Sequence, residues 1–584
     1  MITKNSKENV MKKLIYALSA TLLVLLILLT VLLLLPRSGI VAENPPTTLT
    51  TDLPTENTTP EPSTAPPTEA TEIPTEEPTE PVTEPIFAPY FVSDTDPANW
   101  EIEWEIVDGE TQVTSYQRSE PIFFEDGAYF ALPGVAGFHG GNYRTGANYG
   151  TANIVDGTIT QLAKTNVNSF IADPDWAGCG WTGQPLVAQW DSETRAIMNL
   201  YEDKKAKDDL VEAIYAKLDG YIHFIDMEDG SATRDPVYIG SVFKGSGALD
   251  PRGYPVLYLG AGLSVTGSPQ CIYAVSLIDG SILYKLSGDH KDAHRYWYGF
   301  DGNPLVDAET DTLIWGGENA VLYTIKLNTQ YDKAAGTLTM APDEPVVSIY
   351  TSKYSRGNRY SGYESSLVAA DHYLFLGDNS GLMQCIDVNT MELKWVQDLQ
   401  DDINATPLLE WISEEECYLY AAPSVDYNDG NVSVYKLNAL NGEIIWKYDA
   451  KCVDDSAFPG GVMGSPLMGQ TGTNMEGMVI FCIGRTPTYR SAQIIAFDKE
   501  SGEILWQQEA GNNVWSSPVA LYTEDGNGYI FLADISGTCY LLDGENGEIM
   551  NTLELRRTVE SSPVAFGNKV LLGTRPAVVL LEIN

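Results

Sequence analysis

Residues 494–507, IIAFDKESGEILWQ, have the pattern of a β-strand, a tight turn and a second β-strand. The first strand, residues 494–497, is apolar. The turn contains Asp498, whose side chain can bond its own backbone, and Gly502, which is free to adopt positive φ. The second strand begins at residue 504 and includes Trp506. The chain repeats this hairpin many times, and the repetition predicts the fold.

The clearest copies of the hairpin end in tryptophan: CIDVNTMELKW at Trp395, KLNALNGEIIW at Trp446 and AFDKESGEILW at Trp506. A second signature precedes each hairpin and consists of a small residue, often Ser or Thr, then Pro and apolar residues. It occurs at 183–187, 302–306, 405–409, 464–468, 516–520 and 561–565, with degenerate copies at 245–249 and 365–369. Eight starts of four-stranded units are typical of propeller blades.

We therefore predict an all-β protein built around an eight-bladed β-propeller of four-stranded blades, with a seven-bladed ring as the alternative. Trp395, Trp446 and Trp506 are predicted to pack as wedges between neighbouring blades. The last unit stops after three strands, and NWEIEWEIVDG at 99–109 resembles the missing outer strand. Residues 100–108 are therefore predicted to complete the last blade. Only residues 204–218 look helical, and their end merges into a strand pattern.

The N-terminal part has a different composition. Residues 14–35 are apolar or small and uncharged, long enough to span a bilayer, and Lys4, Lys7, Lys12 and Lys13 precede them. We predict a cytoplasmic tail at 1–13, a transmembrane anchor helix at 14–35, a disordered Pro/Thr/Glu-rich linker at 36–95 and the propeller at 96–584. A cleaved signal peptide is the alternative. The linker would act as an extended extracellular stalk.

The formal net charge is −45, of which residues 1–42 carry +4 and residues 43–99 carry −12, so the rest of the chain carries −37. Such an acidic body disfavours nucleic acid, which requires a basic footprint. None of the seven cysteines forms a Cys-x-x-Cys pair. We predict buried thiols, with one or two disulfides as the alternative.

The hairpin AFDKESGEILW has the pattern Ala-x-Asp-x-x-x-Gly-x-x-x-Trp, with Ala496, Asp498, Gly502 and Trp506 at the named positions. This pattern resembles the tryptophan-docking motif of quinoprotein alcohol dehydrogenase-like eight-bladed propellers. GFHGGNYRTGANYG at 137–150 resembles the segment that opens many such propellers. The family includes dehydrogenases that depend on pyrroloquinoline quinone (PQQ) and the non-enzymatic propeller lipoprotein of outer-membrane β-barrel assembly. The resemblance covers residues 100–584 and implies fold more than function, because the motif is a packing device.

The resemblance implies, for the enzymes, PQQ held between a tryptophan and an adjacent Cys–Cys disulfide, with Ca²⁺ bound by Glu and Asn and an Asp base. This sequence has no adjacent Cys-Cys pair, and the stretch most similar to it is WAGCGW, which contains the single cysteine Cys179. The Ca²⁺ ligands and the base have no matching motif here. We therefore predict no catalytic residues, metal ligands or cofactor, and place the chain nearer the non-enzymatic members.

Two irregular loops are the candidate ligand-contact sites, because propellers usually bind at the channel mouth. The first, 288–304, contains His290, His294 and Trp297; the alternatives are ordinary loop histidines and aromatics packed between blades. The second, 354–364, contains Arg356, Arg359 and Tyr360, with arginines paired to nearby acids as the alternative.

The expected function is that of a non-catalytic binding or scaffold module at the cell surface, with a protein, a peptide or a cell-wall polysaccharide as its ligand. A PQQ-dependent dehydrogenase or a carbohydrate-active enzyme is the alternative. The expected location is the plasma membrane, with one span, a cytoplasmic N-terminus and an extracellular propeller, in a Gram-positive-type envelope.

Overall fold

The computed structural model describes residues 87–125, 129–169, 177–181, 183–263, 270–353, 361–426, 430–453 and 459–584. The chain divides into two units, residues 1–81 and 82–584, and everything described belongs to the second unit. Among these residues no helix has the length and apolarity required to cross a bilayer. The predicted anchor at 14–35 lies outside the described residues.

Eight antiparallel sheets form the blades of a propeller, so the eight-bladed, all-β prediction is confirmed. Within each blade the strands run from an inner strand to an outer strand. The first four blades are built as follows: blade 1 from Leu186–Gln189, Val211–Ala216, Tyr221–Asp226 and Val237–Tyr238; blade 2 from Ala248–Leu249, Val256–Gly260, Cys271–Ser276 and Ile282–Ser287; blade 3 from Leu305–Asp307, Thr312–Gly316, Val321–Lys326 and Val346–Ser352; blade 4 from Val368–Ala370, Tyr373–Gly377, Leu382–Asp387 and Glu392–Asp398.

The remaining blades follow the same order. Their strands are these: blade 5, Leu408–Ser413, Glu416–Ala421, Asn431–Asn438 and Ile444–Lys451; blade 6, Leu467–Met468, Met478–Gly484, Ala492–Asp498 and Ile504–Ala510; blade 7, Val519–Tyr522, Gly528–Ala533, Thr538–Asp543 and Ile549–Glu554; blade 8, Val564–Phe566, Lys569–Thr574, Ala577–Ile583 and Ile159–Asn166. The second and third strands of each blade are largely buried on both faces because neighbouring blades cover them.

A few shorter elements complete the fold. They are the 3₁₀ turn Pro97–Trp100, helices Ser192–Ile197 and Glu202–Lys205, the hairpin Gln330–Asp332 with Thr337–Thr339, and the short strands Thr111–Val113, Gly134–Val135, Asn148–Tyr149, Ser424–Val425 and Gly460–Gly461. The helical interpretation of residues 204–218 is therefore wrong beyond Lys205. Val211–Ala216 is instead the second strand of blade 1, and every residue in it is buried.

The turn of the hairpin at 494–507 has the expected chemistry. The Asp498 carboxylate accepts hydrogen bonds from the backbone N–H groups of Glu500 at 3.1 Å and Ser501 at 2.8 Å. Gly502 has φ of +72° and donates its N–H to the Asp498 carbonyl at 2.9 Å. This conformation strains any residue with a Cβ, which explains the glycine.

Tryptophans from three outer strands lie on the turn glycines of the next blade. Their indole N–H groups donate to turn carbonyls, Trp395 to Ala439 at 2.9 Å, Trp446 to Lys499 at 3.1 Å and Trp506 to Gly544 at 3.3 Å. A Cβ added at Gly442, Gly502 or Gly547 would meet the corresponding indole ring. Each indole therefore fills space that exists only because the next turn has a glycine.

The predicted pairing of residues 100–108 with the last blade is wrong. Ile102–Asp108 pairs with Val346–Ser352 and adds a fifth strand to blade 3. The reason is that Trp104 docks on blade 4, where its indole N–H donates to the carbonyl of the turn residue Met391 at 2.9 Å. The other three docking tryptophans likewise donate to a turn of the blade that follows their own.

The ring is closed instead by Ile159–Asn166, which pairs with Ala577–Ile583 as the outer strand of blade 8. Its preceding turn contains Gly157, with φ of +72°, and the side chain of Met550 from blade 7 packs there. The last blade is therefore completed by an earlier segment of the chain, as predicted, but that segment lies about 60 residues after the one that we predicted.

The predicted linker extends too far at its C-terminal end. Phe87 is buried and its ring packs against Tyr373 and Trp411, with centroids 5.6 and 4.9 Å away. Thr95 donates its hydroxyl to the Asn441 carbonyl at 2.7 Å. Residues 87–95 are thus part of the packed body, and the aromatic ring of Phe87 explains why.

All seven cysteines are buried as thiols, as predicted, and the disulfide alternative is not realised. Burial raises the pKa of the Cys179 and Cys482 thiols to about 12. Such thiols are almost fully protonated at neutral pH and are therefore poor nucleophiles.

Candidate functional site at the channel mouth

A continuous circle of hydrogen bonds surrounds the central channel, one from each blade to the next. It is formed by the residue before the proline of the repeated signature, or its equivalent in the degenerate copies. The bonds run from Gln184 N to Ser246 Oγ, Ser246 N to Asn303 Oδ1, Asn303 N to Ser366 Oγ, Ser366 N to Thr406 Oγ1, Thr406 N to Ser465 Oγ, Ser465 N to Ser517 Oγ, Ser517 N to Ser562 Oγ, and Ser562 N to the Gly183 carbonyl. We call this set of residues the polar ring.

The polar ring explains the Ser and Thr of the signature, which the sequence alone left without a role. The donor–acceptor distances run from 2.6 Å for Gln184 to Ser246 up to 3.2 Å for Ser562 to Gly183. Seven of these side chains accept a hydrogen bond from a buried backbone N–H of the preceding blade, and the Gly183 carbonyl accepts the eighth. A buried N–H without an acceptor would be costly. The ring also fixes which residues face the channel above it.

The residues two positions before each member of the polar ring surround the channel mouth. They are Lys244, Asp301, Glu364, Asn404, Met463, Trp515 and Glu560, while the eighth, Thr182, lies outside the described residues. Trp181 and Trp515 lead into blades 1 and 7, which blade 8 separates, yet their ring centroids are 6.2 Å apart. The loops therefore converge over the channel axis.

Three carboxylates form the most unusual feature of the mouth. Asp301 leads into blade 3, Glu318 lies in the turn between the second and third strands of that blade, and Glu364 leads into blade 4. One carboxylate oxygen of each lies within 4.8 Å of the others. We call these three residues the carboxylate cluster.

The carboxylate cluster has too few hydrogen-bond donors. Glu318 is fully buried, and no described N–H group donates to either of its oxygens or to Asp301 Oδ1, so its side chain pairs only with that of Glu364. Burial, with repulsion from Asp301 and Glu364, raises the pKa of Glu318 well above its usual value. Burial also raises the pKa of Asp301 to about 6, although Lys244 opposes the shift.

Lys244 supplies the single positive charge in contact with the carboxylate cluster among the described residues. Its ammonium forms an ion pair with Asp301 Oδ2 and lies 4.6 Å from the centre of the Trp181 ring. Burial lowers the pKa of Lys244, but the charge of Asp301 outweighs that effect and the net shift is upward. The lysine is therefore held as a cation between a carboxylate and an indole.

Asn379 links the carboxylate cluster to the loop at 288–304. Its amide donates to Glu364 at 2.8 Å and to Asp402 at 3.1 Å, while its carbonyl oxygen accepts from Arg295 at 2.7 Å. Burial, together with the charges of Glu364 and Asp426, raises the pKa of Asp402 well above its usual value. The mouth is thus strongly acidic on the side of blades 3 to 5.

The loop at 288–304 presents aromatic residues to solvent beside this acidic region. Tyr296 is 88% exposed and Trp297 is 47% exposed, with the Arg295 guanidinium 5.5 Å from the centre of the Trp297 ring. Phe300 has the packing role that was the alternative, since it is buried against Trp315 and Tyr323. Trp297 therefore remains available as a ligand contact.

The two histidines of the loop do not belong to the carboxylate cluster. His290 is half-buried, its ring lies 6.2 Å from that of Tyr323, and its Nδ1 accepts a hydrogen bond from the Asp292 N–H at 3.3 Å. Burial lowers the pKa of His290. In the part of the chain that the structure describes, neither His290 nor His294 joins a metal-binding group. Arg356, Arg359 and Tyr360 lie outside the described residues.

The other end of the channel is covered by residues 129–152, which we call the plug segment. It bonds to the inner strands of most blades, through Pro133 O to Gln189 N, Ala136 O to Leu249 N, Tyr129 Oη to Val306 N, Asn142 O to Ala369 N, Tyr143 O to Leu409 N, Ala152 N to Tyr522 O and Ala147 O to Ala565 N. Arg144, buried within it, donates to the carbonyls of Phe138, Pro304 and Leu367 at 2.9–3.1 Å.

His139 in the plug segment is fully buried and adopts φ of +51°. Neither ring nitrogen has a hydrogen-bond partner among the described residues. Burial, with the nearby charge of Arg144, lowers the pKa of His139 to about 3. The imidazole is therefore neutral across the physiological range.

The described residues do not fit PQQ. The adjacent cysteine pair that holds the quinone in the related enzymes is missing, and Cys179 is buried against Gly573 of blade 8. The cavity between the polar ring and the side chains of Asp301 and Glu364 measures about 20 Å³. That is room for about one water molecule, not for a fused-ring quinone.

Sequence reasoning missed the carboxylate cluster, although part of the signal was present. Asp301 and Glu364 directly precede the signature in DGNP and ESSL, two residues before the polar-ring residues Asn303 and Ser366, which is the spacing at which the other blades also contribute to the mouth. Glu318 gave no such signal, because its turn approaches the mouth only in the folded blade.

Comparison with known proteins supports this fold. The family model for outer membrane protein assembly factor BamB matches residues 305–472 and 490–581. Among curated proteins, no match was found. The quinohemoprotein alcohol dehydrogenase ADHIIG from Pseudomonas putida HK5 is 12% identical, with 80% of this chain and 83% of that chain covered and a TM-score of 0.51. This similarity supports the fold alone.

Two further solved structures are similar at lower scores. BamB from Moraxella catarrhalis is 14% identical, with 73% of this chain and 98% of that chain covered and a TM-score of 0.42. Quinohemoprotein alcohol dehydrogenase from Comamonas testosteroni is 13% identical, with 77% and 80% covered and a TM-score of 0.49. The chain thus resembles the BamB family over residues 305–472 and 490–581, and its propeller fold is similar to that of the quinohemoprotein alcohol dehydrogenase ADHIIG.

Proposed function

We propose that this chain is a membrane-anchored, extracellular propeller that acts as a non-catalytic binding or scaffold module and takes a basic segment of a partner protein at its channel mouth. The observation that carries the proposal is the pairing, at the mouth, of exposed aromatic rings with a dense group of carboxylates. Trp297 and Tyr296 supply apolar contact area, and the carboxylates attract positive charge.

The overall charge favours the same class of ligand. The residues after 99 carry a net −37, and the field of such a body steers cationic groups toward it. Lys244 is an internal example of a cation bound at the mouth, because its ammonium contacts both the Asp301 carboxylate and the Trp181 ring. A lysine or arginine of a partner would find the same two kinds of contact beside Trp297.

The anchor and the location are proposed from the sequence. Residues 14–35 are uncharged and apolar or small, and four lysines stand before them, which supports a cytoplasmic N-terminus. The Pro/Thr/Glu-rich stretch that follows would hold the propeller away from the membrane. Deletion of residues 1–35 should therefore shift the protein from the membrane pellet to the soluble fraction, and a protein that still sediments with membranes would contradict the anchor.

The binding proposal can be tested with the full-length protein on arrays of synthetic peptides that differ in net charge and on arrays of wall polysaccharide fragments. We expect capture by basic peptides, weakened by added salt. Trp297→Ala should reduce affinity at least 10-fold, because buried tryptophans dominate interfaces. The control is Tyr90→Ala, which removes an aromatic that is 54% exposed. Tyr90 bonds to Leu440 in a turn at the opposite end of the strands.

Three results would overturn this function. Equal loss of affinity in both variants would remove the mouth from the proposal. Capture by polysaccharide alone would change the class of ligand. Dye-linked alcohol oxidation after addition of PQQ and Ca²⁺ would contradict the non-catalytic role.

A further inference from the structure

The inner strand of blade 6 has no hydrogen bond to the plug segment among the described residues, unlike the inner strands of the other seven blades. In five of those blades the plug segment accepts a hydrogen bond from the backbone N–H two residues after the proline of the signature, or after its equivalent. These N–H groups belong to Leu249, Val306, Ala369, Leu409 and Ala565. The corresponding residue of blade 6 is Met468. Its N–H therefore lacks the acceptor that the plug segment supplies elsewhere.

The N–H of Met468 points away from its own sheet. Met468 lies opposite Val479 of the second strand, and the next residue, Gly469, donates its N–H to the Met478 carbonyl at 3.0 Å. Hydrogen-bonded positions alternate along an antiparallel pair, so Met468 occupies a position without a bond to the second strand. Its N–H and C=O groups therefore face the side that the plug segment covers in other blades.

The side chain of Met468 is also less buried than its counterparts. The residue at the same position of every other blade is at most 1% exposed, whereas Met468 is partly exposed. Those counterparts are Val187, Leu249, Val306, Ala369, Leu409, Ala520 and Ala565. Both the backbone and the side chain thus show that blade 6 is uncovered at this point.

A groove of about 550 Å³ lies between the plug segment and the end of the inner strand of blade 6. Met468, Gln470 and Thr471 line one side, and Gly140, Gly146 and Asn148 line the other. None of the described residues that line it is charged. We call it the blade 6 groove, and its volume is in the range of ligand-binding sites.

The blade 6 groove results from a turn in the plug segment. His139 and Gly140 adopt φ of +51° and +86°, and the His139 carbonyl accepts the Gly146 N–H at 3.1 Å. The main chain thus folds back between its bond to blade 5, at Tyr143, and its bond to blade 8, at Ala147. All residues of the plug segment are described, so the plug itself does not fill the groove.

The chemistry of the blade 6 groove suits an extended main chain. An unpaired N–H and C=O on one strand residue are the groups that an added strand satisfies. The plug segment makes such contacts elsewhere, since Gly134–Val135 pairs with the inner strand of blade 1 and the Ala136 carbonyl accepts the Leu249 N–H at 2.7 Å. A charged side chain would lose hydration in the groove without gaining a partner. The occupant should therefore be uncharged.

We propose that the blade 6 groove binds an extended, uncharged segment of a partner protein, whose main-chain carbonyl accepts a hydrogen bond from the Met468 N–H. This site lies at the opposite end of the channel from the mouth, and it does not depend on binding at the mouth. The N-terminal part of this chain is a poorer occupant, because residues 43–99 carry a charge of −12.

Hydrogen exchange of the full-length protein, read by mass spectrometry with fragmentation to single residues, reports on the Met468 N–H directly. In the protein alone this amide should exchange at least about 100-fold faster than that of Leu409, because only the latter has an acceptor. Slow exchange at Met468 in the protein alone would mean that this chain or a second copy already fills the groove. That result would overturn the proposal.

The probe is the acetylated and amidated peptide LPGVAGF, residues 132–138, which is uncharged and already makes this kind of contact with blades 1 and 2. It is tested on an array together with uncharged variants and with variants that carry one Lys or Glu. We expect uncharged members to bind and to slow exchange at Met468, and a central charge to weaken binding at least about 10-fold. The proposal is wrong if no uncharged member binds, or if charged members bind equally well.

Met468→Pro removes the N–H that the proposal requires. The substitution costs no hydrogen bond of the sheet, because this N–H has no partner among the described residues, and proline is tolerated where a strand N–H faces outward. It should weaken peptide binding at least about 10-fold. The matched control is Met468→Leu, which keeps the N–H and nearly the same volume and should bind within about 2-fold of the wild type.

Thr471→Trp gives a second test that leaves the strand intact. Thr471 is exposed at the edge of the blade 6 groove, and an indole there would occupy the space of the peptide. It should also weaken binding at least about 10-fold, whereas Trp297→Ala at the channel mouth should have no effect. Equal affinities of Met468→Pro and Met468→Leu, or wild-type affinity of Thr471→Trp, would refute the proposed site.

Discussion

Substitution of Gly547 by alanine tests whether the tryptophan docks hold neighbouring blades together. Gly547 has φ of +75°, and a Cβ there would lie 2.7 Å from Cδ2 and 2.9 Å from Cζ3 of Trp506. Alanine in this left-handed conformation costs about 1–2 kcal/mol. Overpacking against a buried ring adds about 1–3 kcal/mol. The free energy of unfolding should therefore fall by about 2–5 kcal/mol.

Gly477 provides the matched control. Its φ of +83° imposes the same backbone strain, but nothing lies within 4 Å of the position that a Cβ would occupy. Gly477→Ala should therefore cost only about 1–2 kcal/mol. The difference between the two variants isolates the contact with Trp506 from the conformational preference of glycine.

A double-mutant cycle completes the test. Trp506→Ala alone should cost about 3–5 kcal/mol, since it empties a buried site. In that background Gly547→Ala should cost no more than Gly477→Ala, because the ring that it would strike is gone. The free energies come from urea denaturation of the full-length protein followed by far-UV circular dichroism. Equal costs for Gly547→Ala with and without Trp506 would refute the docking argument.

Three further predictions concern other parts of the propeller. Ser465→Ala leaves the buried N–H of Thr406 without an acceptor and should cost about 1–3 kcal/mol in urea denaturation, whereas Ser465→Thr should cost less than about 1 kcal/mol. The folded pKa of His139, about 3, lies below its ordinary value, so protonation of this imidazole favours the unfolded state. Between pH 6.5 and pH 5 the free energy of unfolding should therefore fall by about 2 kcal/mol more in the wild-type protein than in His139→Asn, measured by the same urea denaturation. Parallel pH profiles of the two proteins would contradict a buried neutral imidazole. Trp104→Ala should lower the thermal midpoint clearly more than substitution of its exposed neighbour Glu103, and equal effects would refute a docking role for strand Ile102–Asp108.

The repeats in the sequence are sufficient to predict the blades. All eight starts of the signature lie at the beginning of an inner strand, including the degenerate copies at 245–249 and 365–369. The prediction succeeds because every blade packs against its neighbours in the same way. The turn glycine, the residue of the polar ring and the apolar strands therefore recur at similar spacing. A pattern that repeats eight times is readable even where single copies are weak.

Closure was harder to predict because two segments compete for it. Residues 99–109 contain tryptophans and a strand pattern, whereas Ile159–Asn166 has no tryptophan and shows only Asp156 and Gly157 as a turn signal. The choice between them depends on contacts with blades 3 and 8, which local pattern does not contain.

The candidate site was predicted only in part. The loop with Trp297 was identified from its aromatic residues, and the structure places it beside the mouth through Arg295 and Asn379. The carboxylate cluster consists of two residues of blade 3, one of them in an internal turn, and one residue that leads into blade 4. These residues lie close together because the blades are arranged around a common axis.

The closing strand has a consequence for how the chain is made. Ala577, where its partner strand begins, follows Asn166 by 411 residues, so strand Ile159–Asn166 cannot form these hydrogen bonds until residues 577–583 have been synthesised. Until blade 8 is complete, the apolar faces of blades 1 and 7 that pack against it are exposed, and exposed apolar surface promotes aggregation. A chain that ends before Ala577 cannot form the circle. Loss of a few C-terminal residues should therefore yield a product that proteases remove.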